Sequence, residues 1–181
     1  MLLSKPVIVR FCFSITLLLG LIQPVQADIE RSGDIIHLLL PAATLSATAL
    51  YEPNYQGSWQ LVKSVGVSRL SVEALKFGID KTRPNGSDDD SFPSGHTADT
   101  FATATFIQQR YGWKWAIPAY AAASFVGYTR INSSQHYVED VLAGAAIGIL
   151  SAWYFTEPYQ GIKITPIATG QYYGVNINYA F

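Results

Sequence analysis

The stretch Ser91-Phe92-Pro93-Ser94-Gly95-His96-Thr97 constrains this chain more than any other. Pro93 fixes one backbone angle and Ser94 is a good helix N-cap, so the stretch reads as a loop that turns into a helix continuing to 110. The first amides of such a helix have no partner inside it, and its dipole leaves partial positive charge there. Gly95 lets the backbone approach a ligand closely. A helix start of this kind accepts an anion, and His96, in the first turn, places a proton donor beside it. The same residues would also serve as a capped helix with a surface histidine, so the flanking segments decide.

Hydrophobic patterning predicts what surrounds that helix. Residues 34–50 are apolar and helix-length, with Pro41 as a kink or break. His37 falls in this run without a partner at motif spacing and reads as a packed or interfacial residue. Residues 58–77 form an amphipathic helix, with Leu61, Val65, Leu70, Val72, Leu75 and Phe77 on the apolar side and Lys63, Arg69 and Glu73 as the polar set. Residues 78–90 are a loop ending in Asp88-Asp89-Asp90. The alternating ligands and closing Glu of a calcium loop are missing there, so a solvated acidic loop is expected. Trp113 and Trp115 lie in a turn, as interfacial anchors or as core. Helices follow over 116–128 and 137–155; Gly144 and Gly148 in the last one permit close helix contact. In the tail, Val175, Ile177, Tyr179 and Phe181 alternate with Asn176, Asn178 and Ala180, a strand pattern that 162–167 could pair with. Two strands cannot make a membrane barrel. A small C-terminal hairpin docked on a helical body is expected.

Composition then narrows the class. A length of 181 residues is enough for one sizeable core, and 14% charged against 49% apolar residues argues against disorder. A formal net charge of −1 offers nothing to hold a nucleic acid. Lys5 and Arg10, the apolar run 11–22 and Val25-Gln26-Ala27 read as a signal peptide cleaved before Asp28. That run is short against the ~20 residues a bilayer span needs. Cys12 is the single cysteine, so the mature chain would rely on its core without disulfides. The organisation expected is a signal peptide over 1–27, a helical domain over 28–158 and a tail over 159–181. Export would put the protein in the periplasm or on the outer face of a bacterial cytoplasmic membrane.

Three further pieces bear on chemistry. His136 and Asp140 are four apart at the start of a predicted helix and share a face. A carboxylate so placed can hold one ring nitrogen of a histidine and leave the other as a nucleophile. Arg130 lies just before this pair; Lys76 and Arg83 lie just before the Pro93–His96 loop. Arg grips phosphate oxygens through a planar fork and Lys supplies a point charge. Three cations, a helix N-terminus and two histidines can converge on one tetrahedral anion. Solubility alone does not explain such an arrangement in a sparsely charged chain.

Lys76, six residues, Arg83-Pro84; Pro93-Ser94-Gly95-His96; and Thr129-Arg130, five residues, His136, three residues, Asp140 together resemble the three-part signature of the type 2 phosphatidic acid phosphatase (PAP2) superfamily. That group includes lipid phosphatases, bacterial non-specific acid phosphatases and vanadium haloperoxidases. Thr129 stands where the pattern most often has Ser, with the hydroxyl retained. The resemblance implies an all-α fold, a compact bundle of about five to six helices, to which the tail adds its hairpin. It implies that His136 attacks phosphorus to form a phosphohistidine, that Asp140 orients His136, and that His96 protonates the leaving oxygen and then activates water. Lys76, Arg83, Arg130, Ser94 and the Gly95 amide would hold the phosphoryl oxygens, with no metal and no cofactor, because phosphoryl transfer needs chiefly positioning and charge stabilisation.

The function expected is a metal-independent phosphatase acting on a phosphate monoester or diphosphate. The export signal, together with a short gap between Arg83 and Pro93 that resembles the lipid-phosphatase members of that superfamily, implies a lipid phosphate, with membrane-surface contact. A soluble periplasmic acid phosphatase of broad specificity is the alternative. A vanadium haloperoxidase and a phosphate- or lipid-carrying module without turnover are two others.

Overall fold

Five helices make the body: α1 (Ile29–Tyr51), α2 (Gln56–Gly78), α3 (Gly95–Tyr111), α4 (Trp113–Asn132) and α5 (Val138–Phe155). The structure, a computed structural model, describes residues 29–159, 162–168 and 173–179. The expected signal peptide lies outside the described residues. Helix α3 is the axis, packed by all four others. Its small residues allow this: Ala98, Ala102 and Ala104 are fully buried beside Phe106. Its polar residues are buried too. Thr100 Oγ1 bonds the His96 carbonyl at 2.9 Å, Thr103 Oγ1 the Asp99 carbonyl at 2.8 Å, and Thr105 Oγ1 pairs with the Tyr120 hydroxyl at 2.9 Å. Each hydroxyl thus enters the centre with a partner, which removes most of the cost of burying it.

Helix α5 lies closest to the axis. A Cβ at Gly144 would strike the Ser94 carbonyl oxygen, and one at Gly148 would strike that of Ala98. The two backbones are therefore in direct contact along one face, as the spacing of those glycines predicted. Between α3 and α4 the chain turns through Gly112, whose φ of 87° favours glycine. Helix α4 begins at once, so Trp113 and Trp115 belong to its first turn and both are largely exposed. Helix α1 begins five residues earlier than its apolar pattern and runs through Pro41 without a break. That early start carries Glu30 into the body of the protein beside Asp34.

Successive helices reverse direction, so the ends gather into two clusters. At one end Arg110 of α3 forms a buried double ion pair with Glu52, bonds Gln60 Oε1 at 2.9 Å and bonds the Glu157 carbonyl at 2.9 Å. Tyr111 and the Gly57 amide complete the carboxylate's bonds. This staple ties α1, α2, α3 and the end of α5 together. The opposite end holds the residues singled out from the sequence.

The outer surface is apolar. Leu38, Leu50, Phe77, Leu142, Leu150 and Trp153 are all more than half exposed. Helices α1 and α5 are each long and apolar enough to cross a membrane. Beyond the body, β1 (Ile162–Ala168) and β2 (Tyr173–Tyr179) run antiparallel, with Ile162 opposite Tyr179 and Ala168 opposite Tyr173. No helix packs against either strand among the described residues, contrary to the expected docking.

Candidate active site

The loop from Ile79 to Ser94 folds back on itself. Lys81 N donates to the Asp89 carbonyl, Ser91 N to the Lys81 carbonyl and Arg83 N to the Asp88 carbonyl, each at 2.9 Å. This places the acidic run over the cations. Arg83 Nη2 donates to Asp90 Oδ1 at 2.7 Å, Arg83 Nε to Asp88, and Lys76 Nζ to the Asp90 carbonyl at 2.8 Å and to Asp90 Oδ2 at 3.2 Å. Arg83 Nη1 also reaches Gln135 Oε1 at 2.7 Å, bringing the loop to the joint before α5. The acidic loop is largely exposed, as expected, and its Asp88 and Asp90 also hold Arg83 and Lys76 in place.

His136 sits in that joint and is buried. Its Nδ1 lies 2.6 Å from the Ser91 carbonyl oxygen. A carbonyl only accepts, so Nδ1 carries the proton and Nε2 keeps its lone pair. Asp140 was expected to hold this ring nitrogen. Its Oδ2 is instead 3.9 Å from Nδ1 and accepts from Ser91 Oγ at 2.6 Å and the Tyr137 amide at 2.9 Å, while Oδ1 accepts from Lys81 Nζ at 2.6 Å. Asp140 therefore positions His136 through Ser91 and the helix start. Burial, chiefly, and the nearby Arg83 and Lys76 push the His136 pKa down to about 4, against the Ser91 and Asp140 contributions. The ring is neutral at neutral pH.

Ser94 was expected to cap α3 with its hydroxyl and to touch the phosphoryl group. The hydroxyl is fully buried, pairs with Thr97 Oγ1 at 3.0 Å and makes no cap bond. The Ser94 amide donates to the Asp140 carbonyl at 3.0 Å, which locks the start of α3 to α5. Gly95 is the first helical residue, so the amides at the helix start begin there.

His96 is the second residue of α3, and its Nε2 lies 3.2 Å from Asp34 Oδ1. The same oxygen is 3.0 Å from Arg130 Nη1, and Arg130 Nη2 donates to the Glu30 carbonyl at 2.9 Å. Asp34 thus bridges a histidine and an arginine as a phosphoryl oxygen would. The His37 ring lies against His96, with centroids 4.1 Å apart and planes inclined by 39°. His37 Nε2 is 2.9 Å from Asp99 Oδ2, which also pairs with Arg69.

The structure brings Lys76, Arg83, His96, Arg130, His136 and Asp140 to one end of the bundle, with Ser94 buried beneath. Sequence reasoning missed Asp34, His37, Arg69, Lys81, Asp99 and the carbonyl of Ser91. A signal existed for some: Asp34 and His37, and His96 and Asp99, are each three apart on one helix face. Nothing in the sequence announces a backbone carbonyl as the partner of His136.

Two imidazoles, one with a free Nε2, among arginines, a lysine and a helix start define an anion site of the phosphoryl-transfer class. Residues 74–162 match the family model of the PAP2 superfamily, and the chain belongs to that superfamily. It is 44% identical over 82 residues to a lipid A 1-phosphatase of Porphyromonas gingivalis, covering 44% of this chain and 18% of that one. It is 27% identical over 143 residues to a lipid A 4'-phosphatase of Helicobacter pylori, covering 73% of this chain and 71% of that one. The chain therefore spans under a fifth of the first relative and about seven-tenths of the second. The crystal structure of Aquifex aeolicus LpxE superposes with a TM-score of 0.61 at 21% identity, over 78% of this chain and 92% of that one, a likeness of fold.

Proposed function

We propose that this protein hydrolyses the phosphate ester of a membrane lipid through a phosphohistidine on His136. The observation that carries this reading is the 2.6 Å contact between His136 Nδ1 and the Ser91 carbonyl, which leaves Nε2 as a nucleophile beside Arg83 and Lys76. In the first half-reaction the phosphoryl group displaces Asp34 from His96 and Arg130. Lys76, Arg83, Arg130 and the Gly95 amide hold its oxygens. His136 Nε2 forms the bond to phosphorus as the ester oxygen leaves. His96, whose pKa burial and then the neighbouring His37, Arg130 and Arg69 lower to about 3 in the free enzyme, takes up a proton as the dianionic ester replaces Asp34 and gives it to that oxygen. In the second half-reaction neutral His96 takes a proton from water, the water oxygen bonds phosphorus, and the bond to His136 breaks. Phosphate leaves and the enzyme returns to its starting state. Asp140, held by Lys81, keeps Ser91 and the start of α5 in register throughout.

The lipid part of the reading is supported by the outer surface and by the relatives. A soluble bundle buries its apolar faces; here α3, the innermost helix, carries the threonines, while α1 and α5 present leucines outward. Placing α1 and α5 across a bilayer resolves that inversion. The relatives named above act on lipid A, and a phosphorylated sugar lipid of that class is the substrate we assign. With the N-terminal segment exported, the site end would face the periplasm.

The test is a substrate panel on detergent-purified protein: lipid A, phosphatidic acid, phosphatidylglycerophosphate, undecaprenyl diphosphate and p-nitrophenyl phosphate, with His136→Ala as control. We expect phosphate release from a lipid substrate at a kcat/KM well above that for p-nitrophenyl phosphate, abolished in His136→Ala. Quenching in alkaline SDS should trap a phosphoenzyme in the wild type only, and subsequent acid treatment should destroy it. Equal rates on all esters would favour the soluble acid-phosphatase reading, and undiminished turnover in His136→Ala would overturn the phosphohistidine scheme.

A further inference from the structure

His96 must aim one nitrogen at the leaving oxygen, yet the polar partner of that nitrogen, Asp34, is the group a phosphoryl oxygen replaces. Something else has to hold the ring once substrate is in. The other groups facing it are His37 from α1, Arg69 from α2, Arg130 from α4 and His136 from the joint before α5. Arg130 and His136 are committed to the phosphoryl group. His37 and Arg69 are not, and both converge on Asp99, one helical turn beyond His96 on the same face of α3.

We propose that His37, Asp99 and Arg69 are positioning residues that fix the His96 imidazole for proton transfer to the leaving group. The His37 ring packs on His96 at 4.1 Å and is itself fixed at Nε2 by Asp99 Oδ2, 2.9 Å away. Arg69 Nη2 approaches the same His37 nitrogen at 3.4 Å and pairs with Asp99, so three helices meet on one carboxylate. A Cβ at Gly95 would strike the Arg69 guanidinium, which places that cation against the backbone immediately before His96. Asp99 is 6% exposed, and its Oδ1 has no hydrogen-bond partner among the described residues. A carboxylate recruited only for stability would be expected to satisfy both oxygens. Asp99 spends its bonds on orienting His37 and Arg69.

This inference rests on the phosphohistidine reading, and the test separates the two. An alkoxide leaving group needs a proton as it departs; p-nitrophenolate does not. The constant kcat/KM reports steps up to that departure. We expect Asp99→Asn and His37→Gln to lower kcat/KM for an alkyl phosphate lipid by about 30-fold or more, part of the roughly 100- to 10,000-fold that general acid catalysis supplies, because the acid is misaimed and not removed. For p-nitrophenyl phosphate the loss should stay within about threefold, since that step makes little use of the acid. Arg69→Gln should show the same split in weaker form. A purely structural role would depress both substrates alike, and equal losses in folded His37→Gln, judged by gel filtration in detergent, would overturn the proposal. Failure of the phosphohistidine reading would appear separately, as turnover retained in His136→Ala.

Discussion

The protonation state of His136 follows from a single carbonyl and from burial, and both have measurable consequences. Its pKa falls from the ordinary 6.5 to about 4 in the folded protein. The unfolded chain therefore binds a proton between pH 6.5 and 4 that the native state refuses. The stability this group contributes is whole above pH 6.5 and is lost as pH falls toward 4. Thermal unfolding in detergent should show a Tm that declines across this window, and His136→Gln should flatten its share of the decline. The acid limb of kcat/KM should likewise lie well below that of an ordinary histidine. Asp34 allows a second prediction. It occupies the nitrogen of His96 and the guanidinium of Arg130 that an ester would take, so Asp34→Asn should lower KM for substrate and Ki for vanadate, by about tenfold if roughly 1.4 kcal/mol of competition is removed. An unchanged KM would show that the carboxylate leaves at no cost. Part of this was legible at residue level: the histidines and three cations that the motif spacings single out lie together at one end of the bundle. His37 and Arg69 were hidden because an isolated charge on a periodic helix looks the same whether it faces solvent or a neighbour. Asp99 was hidden inside an alanine- and threonine-rich run for the same reason.

Among the elements, the α3–α5 contact is what brings the two histidine motifs together. The Ser94 amide meets the Asp140 carbonyl at 3.0 Å because Gly144 and Gly148 bring the backbones that close. Gly148→Val should cost ~3 kcal/mol or more, since its side chain would meet the Ala98 carbonyl and the Ala102 amide rather than a yielding side chain. Loss of the monodisperse peak in detergent gel filtration would register this, with Gly66→Val, where a Cβ meets nothing within 4 Å, as the tolerated control. The sequence disclosed this pair because small residues at helical spacing have a direct geometric meaning. It set the start of α1 five residues late, at the apolar run, although Asp28 before Ile29 is of an N-capping type, and so it left Glu30 outside the helix; Asp34 and His37 fell inside the expected run, but nothing in it told which neighbours they would face. The grip of the acidic run on Arg83 was hidden for a related reason: only tertiary folding of the 79–94 loop turns Asp88 and Asp90 onto it.

At the scale of the whole molecule, the polar axis and apolar exterior predict behaviour in a membrane. The protein should stay with membranes through an alkaline carbonate wash and leave them only with detergent; release by carbonate would mean that the exposed leucines and tryptophans are covered in some other way. The helical architecture was legible from runs of apolar residues separated by polar joints. The inversion of polarity was not, because hydropathy reports how apolar a helix is and not which of its faces is outward.

Arg83, Lys76 and Arg130 each already have an aspartate of this chain for company. An arriving phosphoester therefore trades one anion for another and adds little net charge to the cradle. The same exchange works in reverse at the end of the cycle. On the proposed cycle Asp34 would reclaim His96 and Arg130 as inorganic phosphate departs, which would keep those groups from becoming a trap for the product.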